Sequence, residues 1–279
     1  NAGRQLAEPV VGRAYQITVD PAPLTLVADE VVDTTPPTVS GDVEVSFTAT
    51  ADIPEGVSIR GIGVTRPIAL HDEAIEQHDP TNPCTSDWVY DVTMADGWLL
   101  EVMTSGNNPG LDIDLFVLLD DGDGVYECDL ETLVGSSTTT TSEEHVRLLQ
   151  PPNGQYWVLV HGWGVPGGSG SFDIDINAYQ GDDLTVENAP SGPVRAKQPV
   201  TFTLSGTVPY EAGAAFHGLL LMGPADSPAA LSLPVTLTVP EFEASGLSAR
   251  LNAGPEGVTT GEATTVSLRV WNQSTDPEV

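Results

Sequence analysis

The carboxylates crowded into residues 111–129 (LDIDLFVLLDDGDGVYECD) are the side chains in this sequence best suited to chemistry. Hard cations such as calcium take about six to eight oxygen ligands, and aspartate–glycine turns bring side-chain and carbonyl oxygens together. Without a cation, so many like charges would repel one another. The stretch therefore predicts a calcium site, with ligands drawn from Asp112, Asp114, Asp120, Asp121, Asp123, Glu127 and Asp129.

Two other interpretations of these carboxylates stay open. The EF-hand pattern is not met, because no helix flanks the stretch and no glutamate holds the final ligand position, so a solvated acidic turn would show the same residues. Paired carboxylates also act as the acid and base of glycosidases, but that chemistry needs an apolar cleft around one of them.

Nucleophilic catalysis has no support in the sequence. A serine hydrolase needs a positioned serine, a base and an orienting acid, whereas residues 168–171 (GSGS) form a flexible turn before a strand. His161, within VHGWG, is expected to be a packed strand end, since the other histidines show no metal-ligand spacing. We therefore expect a non-catalytic chain with no catalytic and no cofactor-binding residue.

The acidic residues lie on a segment patterned as a strand. Side chains of a strand alternate between two faces, so Asp112, Asp114 and Phe116 share one face while Ile113 and Leu115 share the other. Similar short runs recur along the chain between turns rich in glycine and proline, and no segment has a helical period. The sequence predicts an all-β protein of antiparallel β-sandwich or jelly-roll modules in tandem.

One stretch of the sequence returns later without a gap. Residues 43–64 (VEVSFTATADIPEGVSIRGIGV) align with residues 200–221 (VTFTLSGTVPYEAGAAFHGLLL) at a constant offset of 157. Gly56 then falls on Gly213, and Gly61 on Gly218. Two unrelated strand pairs of similar composition are the alternative, but coincident glycines favour a true repeat.

These patterns divide the chain into four parts. Residues 1–70 are predicted to be a β-sandwich segment, 71–180 a β jelly roll, 181–240 a second sandwich segment that repeats 24–64, and 241–279 the truncated start of a further β module. The polar, proline-containing stretch 71–83 marks the first boundary. We expect both chain ends to be cuts in a longer protein.

The net charge of the chain limits the classes of molecule that it is expected to bind. The chain has 9 basic and 40 acidic residues, a formal net charge of −31. Such a surface repels nucleic acid and anionic membranes, because proteins bind both through lysine and arginine side chains. The negative charge is instead suited to binding calcium or to an extracellular medium. No apolar run is long enough to cross a bilayer. We expect an extracellular protein, secreted or at the cell surface, with no nucleic-acid partner and no membrane insertion.

The two cysteines, Cys84 and Cys128, lie outside any C-x-x-C metal spacing. Both fall in segments that resemble loops. This placement favours one disulfide over two free thiols, and hence an oxidising compartment.

Three motifs carry a family resemblance: LDIDLFVLL with DDGDG at 111–124, GQYWVLVHGW at 154–163, and FDIDI at 172–176. Together they resemble the pre-peptidase C-terminal domain, in which a D-x-D-L strand and an acidic turn precede a G-x-Y-x-V-x-V-H-G-W-like strand. The flanking stretches FHGLL (216–220) and PVTLTV (234–239) resemble the fibronectin type III-like tail segments of secreted bacterial subtilisin-like serine proteases. The resemblance covers most of residues 14–240.

The resemblance implies a non-catalytic C-terminal region of an extracellular subtilisin-like serine endopeptidase. Asp112 and Asp114 match the D-x-D positions and His161 begins the matching strand end, whereas the proteases' catalytic aspartate, histidine and serine have no counterpart. The cysteines and residues 241–279 are not part of the pattern. The implied roles are folding, secretion, calcium-dependent stability or substrate engagement, with the catalytic domain of the same polypeptide as the first partner and a protein or polysaccharide substrate as the second.

A second hypothesis is a binding or adhesion module for a polysaccharide or a fibrous protein. It would use an exposed face of the central jelly roll, where tryptophans can stack on sugars. Core packing is the better expectation for most of Trp88, Trp98, Trp157, Trp163 and Trp271.

Overall fold

The structure is a computed structural model that describes residues 17–32, 37–225, 227–241, 247–252 and 267–272. Two 3-10 helices, η1 (Pro83–Thr85) and η2 (Pro166–Gly168), are the helical segments of this part of the chain. None of the helices found there has the length and apolar character needed to span a membrane. The strands are β1 (Ile17–Asp20), β2 (Leu24–Val27), β3 (Glu30–Val32), β4 (Thr38–Ala49), β5 (Val57–Thr65), β6 (Ile68–Glu76), β7 (Trp88–Met94), β8 (Leu99–Gly106), β9 (Asp112–Leu119), β10 (Thr132–Ser137), β11 (His145–Leu149), β12 (Gly154–Gly164), β13 (Ser169–Tyr179), β14 (Leu184–Glu187), β15 (Val200–Pro209), β16 (Ala215–Pro224), β17 (Leu231–Thr238), β18 (Leu247–Asn252) and β19 (Ser267–Asn272).

The predicted all-β class is confirmed, and two of its sheets form a β-sandwich. One sheet has the order β1-β4-β15-β14, with β3 also paired to β4, and the other has the order β2-β17-β16-β5. Their strand pairs are antiparallel except for β2 and β17, which run parallel. The sheets enclose one apolar core, where the rings of Phe47 and Phe202 lie 6.4 Å apart.

The segments on either side of the jelly roll, predicted as 1–70 and 181–240, contribute strands to the same two sheets and form one domain. Strands β4 and β5 of the first segment pair with β15 and β16 of the second. Neither segment holds a complete sheet, so each can bury its apolar face only against the other. The buried core accordingly takes residues from both segments, among them Leu26, Phe47, Phe202 and Leu237.

The central unit is inserted between the two halves of this sandwich. It consists of two four-stranded antiparallel sheets, β10-β9-β12-β7 and β11-β8-β13-β6, and spans residues 68–179 where the sequence predicted 71–180. Its first and last strands, β6 and β13, are neighbours in one sheet. The chain therefore enters and leaves at the same edge of the unit, as an insertion requires.

A small apolar cluster joins the sandwich to the inserted unit. Ile62, Leu219 and Leu221 come from the sandwich, and Leu99 and Tyr179 come from the inserted unit. Polar contacts accompany it: the Thr65 hydroxyl donates to the Ala178 carbonyl (2.7 Å), and His217 Nδ1 lies 3.0 Å from Asn177 Oδ1. The two units thus share a packed interface.

The predicted further module at 241–279 lies mostly outside the described residues. Its described backbone forms one antiparallel pair, β18 with β19. The prediction for residues 1–16 also lies outside the described part of the chain.

Candidate functional site

The structure places the seven predicted carboxylates in two separate regions. Asp112 and Asp114 lie on the outer face of β9, and Asp120 and Asp121 lie just after its end. The remaining three, Asp123, Glu127 and Asp129, are exposed along the loop 120–131, which we call the acidic loop.

Asp120 organises the first turn of the acidic loop. Its Oδ2 accepts hydrogen bonds from the backbone N–H groups of Gly122 (2.9 Å) and Gly124 (3.1 Å), and its Oδ1 accepts one from Trp157 Nε1 (3.1 Å). Both glycines have positive φ angles, which side chains with a Cβ seldom adopt. Desolvation tends to raise the pKa of Asp120, but these three donors outweigh it and hold the pKa below its usual value.

A carboxylate cluster forms where the acidic loop closes on itself. Asp120, Asp121 and Glu131 each offer an oxygen within 4.8 Å of the other two. Desolvation raises the pKa of Glu131, and the charges of Asp120 and Asp121 raise it further against opposing backbone hydrogen bonds. Glu131 Oε2 is buried, and none of the described residues forms a hydrogen bond with it. Three converging carboxylates of this kind can hold a hard cation, with carbonyl oxygens and water filling the other positions.

Glu131 was not among the seven predicted ligands. It follows Asp129 by two residues, so extending the acidic stretch to the start of β10 would have included it. Among the predicted set, the described cluster contains only Asp120 and Asp121. The side chain of Asp123 accepts a hydrogen bond from the Val125 N–H (2.8 Å), which shapes the turn.

A disulfide ties the acidic loop to the segment 77–87. Cys84 of η1 and Cys128 are bonded, with their Cα atoms 5.6 Å apart, as the sequence favoured. Tyr126 of the acidic loop packs on Trp157 of β12 with ring centroids 5.7 Å apart. The bridge and this aromatic contact hold both loops against the outer face of the sheet formed by β10, β9, β12 and β7.

The second region is an open cleft of about 460 Å³ on the same outer face. Its floor is formed by Asp112, Asp114 and Phe116 of β9. One wall consists of residues 138–140, and the other combines Pro80, Thr81 and Pro83 with His161 and Trp163 of β12. We call this the Asp114 cleft.

Asp114 is the most perturbed group in this cleft. The residue is 9% exposed. Burial, together with the charges of Asp112 and Glu144, raises the pKa of Asp114 to about 6. Asp112 also has a raised pKa, first from burial and then from Glu144, and its Oδ1 is buried without a hydrogen-bond partner among the described residues. The floor of the cleft therefore holds a buried acceptor that a ligand's donor could satisfy.

His161 lies directly across from Asp114 in the pairing of β12 with β9. It is 1% exposed; Nδ1 lies 2.8 Å from Ser86 Oγ, while Nε2 is buried and has no hydrogen-bond partner within the described part of the chain. Burial, reinforced by the neighbouring His78, lowers the pKa of His161 although Asp79 acts in the opposite sense, and the lowered pKa favours the neutral ring. Ser86 does not line the cleft, so its contact orients the ring rather than presenting a nucleophile.

The sequence does not match a known protein family, and a search of curated proteins finds no match. Among solved structures, the chain is similar to tripeptidyl peptidase 2, with a TM-score of 0.34 and 12% identity over 83% of this chain and 20% of that one. It is also similar to the M60 catalytic domain with the CBM51-1 and CBM51-2 domains of Clostridium perfringens ZmpB (TM-score 0.23, 12% identity, 87% of this chain and 33% of that one). A third is TmCBM61 in complex with beta-1,4-galactotriose (TM-score 0.16, 9% identity, 70% and 88%). The chain spans 20% and 33% of the lengths of the first two, and TM-scores this low carry no functional argument.

Proposed function

We propose that this chain is a non-catalytic, calcium-stabilised accessory region of an extracellular subtilisin-like serine endopeptidase. The observation that carries the calcium part is the cluster of Asp120, Asp121 and Glu131, in which one buried carboxylate oxygen has no hydrogen-bond partner among the residues that the structure describes. The association with a protease is supported by the sequence resemblance of residues 111–124, 154–163 and 172–176 to the pre-peptidase C-terminal domain. An oxidising, extracellular compartment is supported by the disulfide.

Calcium would act by relieving repulsion within the acidic loop. Asp120 is already oriented by its three donors, so it offers a prearranged ligand that loses little entropy on binding. A bound ion would draw Asp121 and Glu131 toward it and close the loop next to the disulfide. The accessory region would then be rigid outside the cell, where calcium is millimolar, and looser before secretion.

Thermal unfolding in EDTA and in 10 mM calcium tests the calcium part of this proposal. Extracellular sites bind calcium with dissociation constants of about 0.1–1 mM, which corresponds to a stabilisation of roughly 1.4–2.7 kcal/mol at that concentration. Sodium chloride at equal ionic strength is the control for general screening. A melting temperature that does not respond to calcium rules out the calcium site.

The accessory role has its own test. The isolated chain is expected to hydrolyse no peptide substrate, and it is expected to raise the yield of active enzyme when attached to a subtilisin-like catalytic domain. Peptide hydrolysis by the isolated chain, lost in a variant such as Asp114→Asn, would contradict the non-catalytic assignment.

A second candidate function is a binding module for a polysaccharide or a fibrous protein. The observation that favours it is Trp163, which is 48% exposed at the edge of the Asp114 cleft. Retention on insoluble glycans or on collagen distinguishes this function from the first, which requires neither.

A further inference from the structure

Trp163 is displaced from the regular strand by a β-bulge. The pairing of β12 with β9 shifts between Gly162 and Gly164, so Trp163 has no paired residue on β9. Tyr156, Val158 and Val160 of β12 pack in the core, so the alternation of the strand places Trp163 on the outer face, where its indole is exposed at the cleft. An exposed tryptophan on a β-surface is a platform for stacking.

The bulge is held rigidly by side chains from the segment after β6. Gln77 Nε2 donates to the carbonyls of Gly162 (3.1 Å) and Trp163 (2.8 Å), and Gln77 Oε1 accepts from the Val165 N–H (2.8 Å). His78 Nδ1 accepts from the Gly162 N–H (3.0 Å). The backbone on both sides of Trp163 is thus fixed before any ligand arrives, which lowers the entropic cost of using the indole for binding.

Both walls of the cleft are also fixed by internal contacts. Glu144, 1% exposed, accepts from the Thr139 N–H (2.9 Å) and from the hydroxyls of Ser137 and Thr139. On the other side, Asp79 Oδ1 accepts from the Thr81 N–H (2.9 Å) and hydroxyl (2.7 Å), and the disulfide at Cys84 ties this wall to the acidic loop. The cleft is therefore preorganised.

Two residues that line this preorganised cleft carry a buried polar atom with no hydrogen-bond partner among the described residues, namely Asp112 Oδ1 and His161 Nε2. The Asp114 carboxylate also lines the cleft, and no lysine or arginine is among the lining residues. Buried polar atoms are seldom left unpaired, so their concentration here indicates a ligand that brings hydrogen-bond donors. The exposed indole and the half-buried Phe116 indicate that the same ligand also has an apolar face.

We propose that the Asp114 cleft binds a neutral pyranose unit of a polysaccharide. The C–H face of the sugar stacks on Trp163, and neighbouring hydroxyls donate to Asp112 and Asp114 while His161 Nε2 and the threonines of 138–140 bond the remaining oxygens. This inference rests on the second of the two proposed functions and is independent of the calcium site.

A metal ion fits this cleft less well than a sugar. In the described cluster of Asp120, Asp121 and Glu131, one oxygen of each side chain lies within 4.8 Å of the other two. This distance criterion is not met by the carboxylates of Asp112 and Asp114 with the ring nitrogens of His161. An ion would also leave Trp163 and Phe116 without a role. A lysine side chain would satisfy the carboxylates, but it would not use the threonine hydroxyls on the opposite wall.

Calorimetric titration of the whole chain with cello-, manno-, xylo- and malto-tetraose, each to 10 mM in EDTA, tests the proposal. At least one tetrasaccharide is expected to bind, at least tenfold more weakly in Trp163→Ala and in Asp114→Asn. Leu149→Ala, the truncation of an exposed apolar side chain on the other sheet, is expected to leave binding unchanged. Melting temperatures of all variants establish that each is folded.

Three outcomes would overturn this inference. The first is that no tetrasaccharide binds. The second is that Trp163→Ala and Asp114→Asn bind the sugar with the same affinity as the parent chain. The third is that a lysine-containing peptide binds and the sugars do not. If Trp163→Ala is retained on an insoluble glycan as well as the parent chain is, the binding-module function stands but this cleft is not its binding site.

Discussion

Val45 on β4 faces Phe202 on β15 across the middle of one sheet of the sandwich, and these two residues are equivalent at the repeat offset of 157. In the second sheet, Ile62 on β5 faces Leu219 on β16, and this pair has the same offset. Direct pairing of equivalent residues in both sheets is the mark of a local two-fold axis through the sandwich. The repeat therefore forms one domain by pairing its copies, and the central unit interrupts the connection between them.

The repeated glycines predict a matched pair of destabilising variants. A Cβ on Gly61 would lie 2.0 Å from the Leu184 carbonyl oxygen, and one on Gly218 would lie 2.4 Å from that of Gly63. Because backbone atoms cannot move aside cheaply, we expect Gly61→Ala and Gly218→Ala each to lower the free energy of unfolding by about 2–3 kcal/mol in denaturant titrations. Gly192→Ala is the control, since a Cβ there meets nothing within 4 Å, and an equal loss in it would contradict this explanation.

Removing the disulfide is expected to destabilise the inserted unit. Cys84 and Cys128 are 44 residues apart, so the chain-entropy account gives a loss of about 4 kcal/mol for the double variant Cys84→Ala, Cys128→Ala. The acidic loop should also loosen from Trp157, which tryptophan fluorescence can follow beside chemical unfolding. Unchanged stability in the double variant would mean that the aromatic and hydrogen-bonding contacts of the loop are sufficient.

Glu131 and Glu127 offer a matched test of the carboxylate cluster. Glu131→Gln removes one of the three converging charges, and we expect it to abolish roughly 1–2 kcal/mol of the stabilisation that 10 mM calcium produces. Glu127→Gln makes the same change on an exposed side chain of the same loop and is expected to retain that stabilisation. Calcium titrations followed by melting temperature compare the two, and equal losses would place the ion elsewhere in the loop.

His217 makes the stability of the domain interface depend on pH. Burial lowers its pKa below the ordinary value of about 6.5, against a weaker effect of Asp175. As the pH falls below about 6.5, the unfolded chain takes up a proton that folded His217 resists, so the free energy of unfolding falls until the folded pKa is reached. We expect His217→Gln to reduce the slope of this loss, which is at most about 1.4 kcal/mol per pH unit for one proton.

Denaturant titrations between pH 7 and pH 5 measure that slope. His161 has a pKa lowered by burial as well, so part of the acid destabilisation is expected to remain in His217→Gln. A slope identical to that of the parent chain would show that the titration of His217 does not contribute to the acid destabilisation.

Several features could be predicted because they are local. Alternating side chains predicted the strand at 112–119 with its carboxylates on one face, and the structure has β9 there with Ile113 and Leu115 buried in the core. The glycine at position 56 and its repeat equivalent at 213 both adopt positive φ, at 80° and 75°. Such patterns follow from backbone geometry within a few residues, which the sequence displays directly.

Other features depend on residues that are distant in sequence. Gln77 reaches the bulge at Trp163 across 86 positions, and Glu144 supports the wall of a cleft whose floor is Asp114. No spacing rule connects these residues. The acidic stretch was likewise interpreted as one ligand set, whereas the strand direction sends Asp112 and Asp114 to the cleft and the loop sends Asp120 and Asp121 to Glu131.

The sequence by itself determined the all-β class through side-chain alternation and the repeat through its glycine positions. It also determined the cysteine pair, because two cysteines allow only one intrachain disulfide. Only the tertiary structure decided that the two copies share one core and that the acidic residues serve two regions. The reason is physical: a strand's period sets which face is apolar, but the strand that covers that face is chosen by packing across the whole chain.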